Sequence, residues 1–509
     1  MSITQSLHRF AQSRPHAIAT RCEDRTRTFA ELEDRVARLA SGLRRLGVNR
    51  GDRVALISLN SDRFLESLLA LSWAGATFVP LNFRLNVEEL ASAINDAGAM
   101  TLIVDETFLP LAEPLRSKCP DVRQVVVAGE GDAAAARLED LIAQSPPMDD
   151  IFCAGGDVAG IFYTGGTTGR SKGVMLTHRN LLTSALGTLA SGPFFSTTGT
   201  ALHVAPLFHL AGIWPWLSQL VIGGRHVVLG GFDPAKVAAA VDEHQVTTLL
   251  LVPTMVHQLA EHLGGVTARL ATLRYLLYAG SPMPEAVVEK VAALLPHVGL
   301  IQCYGMTELS PLATLLLPEE HTVARRRSAG RAAPHALVKI ADADDREVPR
   351  GEVGQILVRG EHVMCGYWRQ PELTASTLAG GWMHTGDLGS MDEEGFVEVR
   401  DRLKDMIISG GENVYSAEVE NVIARHPAVV SCAVIGVPDG EWGERVHAVV
   451  VVRSGAELAL EELREHVGGR IARYKAPRSL EIATSLPLSS AGKVLKNELR
   501  ARHAAVQKA

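Results

Sequence analysis

A chain of 509 residues is too long for one ordinary domain, and a formal net charge of −7 argues against general affinity for nucleic acid. Hydrophobic residues at 47% and charged residues at 21% describe a soluble globular protein with ample core. The longest apolar runs, such as "VTTLLLVPTMV" at 246–256, fall far short of the ~20 residues a membrane-spanning helix needs, so no transmembrane segment is expected.

The N-terminal "MSITQSLHRFAQSRPH" carries no apolar core of a secretory signal. Cys22, Cys119, Cys153, Cys303, Cys365 and Cys432 are scattered without a CxxC pair, which reads as reduced, mostly buried thiols in a cytoplasmic protein. Over 29–47, Leu32, Val36, Leu39, Leu43 and Leu46 recur at spacings of three and four, the pattern of an amphipathic helix that Gly47 is placed to end. "DRVALISL" follows as a buried strand, "FLESLLALSWAG" as a helix, then "ATFVPLN" and "TLIVD" (101–105) as strands. This alternation is the rhythm of an α/β domain with parallel strands.

At 163–173 the sequence reads "YTGGTTGRSKG", crowding glycines, threonine hydroxyls and two cations into one loop. Backbone N–H groups and the hydroxyls of Thr164, Thr167 and Thr168 suit a phosphate chain, with Lys172 adding charge; the competing reading is an ordinary surface turn. It is not a Walker A loop. Gly165 and Gly169 are four apart, Lys172 is followed by Gly173, and the next segment, "GVML", reads as a strand. Only "THRNLLTSAL" beyond it reads as a helix, with Thr177 as its N-cap.

From about 200 to 310 the α/β rhythm returns with "GGRHVVLG", "PAKVAAAVDEHQ", "VTTLLLVP", "MVHQLAEHL" and "LRYLLYAG". Between 330 and 400 glycine and proline punctuation marks a β-rich region. After 400 a compact tail follows: helical "SAEVENVIARHP", strands "VVSCAVIGVPD" and "HAVVVVR", helical "LEELREHVGGRIAR" and a final basic helix. The expected fold is therefore α/β: a large body of α/β subdomains with a β-rich subdomain (1–400), joined at 401–404 to a small α+β domain (405–509).

Four further segments stand in order behind the loop: "YGMTE" at 304–308, "GWMHTGD" at 381–387, "DRLKDMIISGGENVY" at 401–415 and "LPLSSAGKVLKNEL" at 486–499. Together with the loop they resemble the signature of the adenylate-forming (ANL) superfamily, over about residues 10–500. "DRLKDMIISGGENVY" is similar to the acyl-CoA synthetase and fatty-acid–CoA ligase branch. That resemblance implies an AMP-forming acid–thiol ligase. A carboxylate attacks the α-phosphate of ATP to give an acyl-adenylate and pyrophosphate, and the thiol of coenzyme A then displaces AMP.

Roles follow from the resemblance position by position. Thr164, Thr167, Thr168, Gly169 and Lys172 are implied at the β- and γ-phosphates, although family members commonly have serine in place of Gly165 and proline in place of Ser171. Glu308 is implied as the Mg²⁺ ligand, Thr307 beside the α-phosphate and Tyr304 on adenine, with Gly280 and Ser281 lining the adenine site. Asp387 and Arg402 are implied at the ribose. Lys493 acts on the α-phosphate during adenylation, Lys404 marks the hinge, and Gly410 and Gly411 enter for the thioester step. In "PLFHLAGIWPW" His209 is implied as a gate, against the plainer reading of a packed histidine. Gly212, Trp214, Thr254, Met306 and Leu312 are candidate acyl-pocket residues.

No charged residue in those segments suits a second carboxylate or an amino group, which favours a fatty or aryl acid as the small-molecule substrate. Three alternatives stay open: an acyl-AMP ligase loading a separate carrier protein, a P-loop-type ATPase or kinase releasing ADP, and a non-catalytic nucleotide-binding relative. Arginines at 21–27 and 325–327 offer peripheral contact with anionic lipid or simply solvated faces. The sequence sets no oligomeric state, a homodimer being one option.

Overall fold

The computed structural model describes residues 1–129, 136–164, 171–264, 270–488 and 494–506, with 504–506 described by backbone alone. Packing divides the chain into two units: residues 1–282 with 287–338 and 358–383, and residues 283–286 with 339–357 and 384–509. The architecture is mixed α/β.

The first unit holds two large sheets. In the nine-stranded sheet, Gly299–Tyr304, Tyr275–Ala279, Thr248–Leu251, Thr200–His203, Arg225–Val228 and Ile18–Cys22 are consecutive parallel neighbours. The eight-stranded sheet has a parallel centre of Thr77–Pro80, Arg53–Ile57, Thr101–Asp105 and Gln124–Ala128. Helices fill the crossovers that parallel strands require. The helix Phe29–Arg45 starts on a capping box, in which Thr28 accepts from the Glu31 N–H and the Glu31 carboxylate accepts from the Thr28 N–H. Its apolar stripe, Leu32, Val36, Leu39 and Leu43, is buried as the spacing predicts; Leu46 lies beyond the last turn and is half exposed.

Arginine charge in this unit is used internally. Arg35 binds both Glu66 and Glu139, and Arg63 also reaches Glu139. From the two arginine clusters, Arg25 pairs with the buried Asp62 at 2.8 Å and Arg326 pairs with Glu289.

The second unit is built on antiparallel pairs. Met383–Met391 pairs with Val397–Arg402, and the long hairpin Val429–Asp439 with Gly443–Val452 carries Ser479–Ile482 as a parallel neighbour. The helix expected over 460–473 stops at Gly468, where a glycine pair removes the helical preference. One helix, Pro371–Thr377, falls in the stretch read as β-rich; Pro371 opens it, a position where the missing N–H costs nothing. Cys22, Cys119, Cys153 and Cys303 are buried free thiols, whereas Cys365 is exposed and Cys432 half-buried. Among the described residues no helix is long and apolar enough to cross a membrane.

Candidate active site

The glycine-rich loop is flanked as the sequence predicts. Val158–Thr164 runs into it and Lys172–Thr177 leaves it, the two strands pairing antiparallel with Thr164 opposite Lys172. The following helix, His178–Ser191, starts six residues after Lys172 on a capping box formed by Thr177 and Asn180. Thr167, Thr168 and Gly169 lie outside the described residues, as does Lys493.

Most of the other expected residues of the first unit gather at one edge of the nine-stranded sheet. Four neighbouring parallel strands end in turn before "PLFHL", "VPT", "GS" and "YGMTE". Their carboxyl ends thus carry His209, Thr254, Gly280 with Ser281, and Tyr304 to Glu308. In open parallel sheets this is where ligands bind, because loops splay there and the strands' last groups are unpaired. Gly280 has φ +94°, which a side chain resists, so the chain turns away directly after Ala279. Gly305 is held tighter still: a Cβ there would stand 1.9 Å from the Pro311 carbonyl oxygen, so only glycine lets the 304–308 turn close on 311.

Glu308 is buried, and the Tyr367 hydroxyl donates to its Oε1 at 2.8 Å. Burial, then the Glu308 carboxylate, push the Tyr367 phenol well above its ordinary value, so it remains a donor at any working pH. Lys172 Nζ lies 5.4 Å from the centre of the same ring, within cation–π range. Tyr367 belongs to the short strand Gly366–Tyr367, paired beside the loop's return strand with Tyr367 opposite Val174. Tyr367 therefore joins the loop's lysine to the acid of "YGMTE". The sequence carries no spacing signal for this contact, since Tyr367 and Glu308 are 59 positions apart and meet only through strand pairing.

The segment before His209 is fixed by Asn60, whose side chain donates to Ala205 O at 2.9 Å and accepts from Leu207 N–H at 2.8 Å. His209 itself is half-buried at the start of the helix Leu210–Ile222, its ring 4.3 Å from that of Phe208. Gly212 lies against backbone, where a Cβ would meet the Pro206 carbonyl oxygen at 2.4 Å. Trp214 is buried, donates to Thr188 Oγ1 at 2.8 Å and shares a cluster with Leu250, Leu277, Ile301 and Leu312. Trp214 and Leu312 thus form a floor beneath the strand ends, whereas Thr254 is exposed and Met306 half-buried.

Within the second unit, Asp387 and Arg402 stand directly opposite each other on paired strands, with Arg402 Nε 3.0 Å from Asp387 Oδ1. The two residues expected at the ribose are therefore partners, a cation holding one oxygen of the carboxylate. Lys404 is exposed in the turn after Arg402. Gly410 and Gly411, at φ +62° and +83°, form the two-residue turn between Ile407–Ser409 and Glu412–Val414. Both central positions of such a turn need positive φ, which explains a glycine pair.

The model of the AMP-binding enzyme family matches residues 7–368, and that of the AMP-binding enzyme C-terminal domain matches 418–493. The chain is 43% identical over 499 residues to a feruloyl-CoA synthase of an Amycolatopsis species, covering 97% of each chain. It is 36% identical over 508 residues to the fatty acid–[acyl-carrier-protein] ligase ScoC of Streptomyces coeruleorubidus, covering 98% of this chain and 95% of the relative. Among solved structures, ATP-bound MatB from Rhodopseudomonas palustris superposes with a TM-score of 0.90 at 31% identity, over 99% of this chain and all of the other.

Proposed function

Because the chain belongs to the AMP-binding enzyme family, we propose that it is an AMP-forming acyl-CoA synthetase acting on an uncharged aryl or fatty acid. The observation that carries the reading is the convergence of His209, Thr254, Gly280, Ser281 and Tyr304–Glu308 at the carboxyl ends of four neighbouring parallel strands. In the first half-reaction a carboxylate oxygen bonds to the α-phosphorus as the bond to pyrophosphate breaks. In the second, a thiolate bonds to the acyl carbon as the bond to AMP breaks. Neither step needs a covalent protein intermediate, so the chain's task is positioning and charge stabilisation.

Thr164, Thr167, Thr168, Gly169 and Lys172 hold the leaving pyrophosphate end, Tyr304 lies on adenine beside Gly280 and Ser281, and Thr307 meets the α-phosphate. Glu308 is a hard oxygen donor in a buried setting, oriented by Tyr367, and suits Mg²⁺. When bound, that ion neutralises charge on the phosphates. Asp387, fixed by Arg402, takes the ribose hydroxyls, since one carboxylate accepts from two donors. Lys493 acts in adenylation, and rotation at Lys404 brings the Gly410–Gly411 turn into the thioester step. His209 gates the acyl site. A cytoplasmic setting accords with the buried free thiols.

Similarity to a feruloyl-CoA synthase makes hydroxycinnamates the first acids to test, and similarity to an acyl-carrier-protein ligase favours a carrier thiol as the second acceptor. The test is AMP release from ATP and Mg²⁺, with and without coenzyme A, across cinnamates, benzoates and fatty acids from acetate to palmitate. AMP that requires both an acid and coenzyme A is expected. Acyl-adenylate without thioester assigns a carrier protein as acceptor, and ADP in place of AMP overturns the reading.

A further inference from the structure

Three metal-ligating side chains meet in the second unit, none of them assigned a role above. His447 lies on the strand Gly443–Val452, where it pairs with Ser479 of the parallel neighbour Ser479–Ile482. Glu481 sits two residues along that neighbour, on the same face as Ser479. The helix Lys496–Val506 brings His503 over this face, seated by Leu499, which is buried against Ala433, Ile435, Val437 and Val449. Leu499 and His503 are four apart and so lie on one side of the helix. The His447 and His503 rings are 4.6 Å apart between centres.

His447 is only 3% exposed, and its two nitrogens are treated differently. Nδ1 is 2.8 Å from Ser479 Oγ, whereas Nε2 is buried without a hydrogen-bond partner. Glu481 Oε2, at 3.8 Å, is too far to serve as one. An unpaired buried polar atom costs about 1–3 kcal/mol, and this one is directed at a carboxylate and a second imidazole.

We propose that His447 Nε2, a ring nitrogen of His503 and a carboxylate oxygen of Glu481 bind a divalent transition metal, Zn²⁺ foremost. One ligand atom from each lies within 4.8 Å of the others. Zinc bonds of about 2.0–2.2 Å place tetrahedral ligands about 3.3 Å apart, and the Glu481 side chain, 55% exposed, is free to swing that remaining distance. Two imidazoles and one carboxylate select a borderline ion over Mg²⁺, which takes oxygen. Ser479 is the outer partner that fixes the ring's orientation. Burial, then His503 and Arg445, hold the His447 imidazole down to about 4, so it is neutral and able to ligate across the working pH range. Three protein ligands leave a fourth position for water. The bound ion staples the C-terminal helix, which begins three residues after Lys493, to the sheet.

The test uses the full-length chain, stripped with chelator and kept in excess Mg²⁺, titrated with Co²⁺ and then Zn²⁺. One equivalent of Co²⁺ with visible d–d absorption, displaced by Zn²⁺, is expected, together with slower amide exchange over 496–506 when Zn²⁺ is bound. Glu481→Ala and His503→Ala, both outside the core, each weaken Zn²⁺ binding tenfold or more and abolish that slowing, while their metal-free melting curves match the parent. Absence of stoichiometric binding overturns the proposal, and so does binding that both variants leave unchanged. The outcome is independent of acyl-CoA synthetase activity, because metal is read directly and no substrate is present.

Discussion

The two large sheets of the first unit share an architecture and differ in how their strand ends are used. Both have four or more parallel strands with helices in the crossovers. In the eight-stranded sheet the polar groups after the strands are occupied within the fold. Asp105 accepts from the N–H groups of Leu59, Thr107 and Phe108, and Asn60 clamps Ala205 and Leu207. In the nine-stranded sheet the corresponding edge presents Gly280, Ser281 and the 304–308 turn. Parallel topology therefore supplies two candidate edges: side-chain hydrogen bonds make the segments around Asn60 and Asp105 a support, while the nine-stranded edge presents glycine, serine and the 304–308 turn.

The largest expected effects lie on the residues proposed for the reaction itself. Lys493→Ala slows adenylation by about 10² to 10³-fold while synthetic acyl-adenylate is still converted to thioester. Lys404→Pro gives the reverse pattern, and equal loss of both half-reactions would remove the hinge assignment. Next in size is Tyr367→Phe, which deletes a hydrogen bond to a buried carboxylate. About tenfold lower kcat and a raised Mg²⁺ requirement are expected beside a stability cost of about 1–3 kcal/mol; a stability loss with normal Mg²⁺ dependence would make Tyr367 a packing residue only.

On the supporting side, Asn60→Ala leaves the Leu207 N–H and Ala205 carbonyl unpaired. It is expected to cost about 1–3 kcal/mol in denaturant unfolding and to raise KM for the acid more than KM for ATP. An unchanged KM for the acid would separate Asn60 from His209.

The smallest effect distinguishes the sheets by pH. His203 and His226, on adjacent strands of the nine-stranded sheet, are buried and 3.0 Å apart, and burial holds His203 down to about 3 and His226 well below its ordinary value. The unfolded chain takes up those protons from about 6.5 downward, whereas the native sheet does not. Their contribution is thus complete above pH 6.5 and is lost as pH falls toward 3. No strand of the eight-stranded sheet carries a histidine. Amide exchange at decreasing pH should open 200–228 before 53–57 and 101–105; simultaneous opening would show that the histidine pair does not set acid stability.

Much of this arrangement is legible in the sequence where the signal is local. The 29–45 helix announces itself by its spacing, the loop's return strand by an apolar run, and the 178–191 helix by its Thr177 cap. The glycines at 280, 305, 410 and 411 mark tight backbone. What spacing cannot show is what distant pairing creates. Tyr367 reaches Glu308 only because Gly366–Tyr367 adds to the edge beside Lys172–Thr177. Asn60 reaches 205 and 207 across two sheets, and the packing of Gly212 on Pro206 and of Trp214 on Thr188 has no spacing signal either. In sequence Arg402 and Asp387 each point to a ligand, and register alone makes them each other's partner.

That register at Tyr367 and Val174 limits how the loop can be re-engineered. The strand leaving the phosphate loop and the residue that orients Glu308 share one ladder, so a shift of the loop's return leg by a single residue would also turn Tyr367 to the opposite face. A change of length between Thr164 and Lys172 is therefore felt twice, once in the return strand and once at the Tyr367–Glu308 hydrogen bond. The His209 segment follows Thr200–His203 of the nine-stranded sheet and has no share in that ladder, so it can change length without disturbing either.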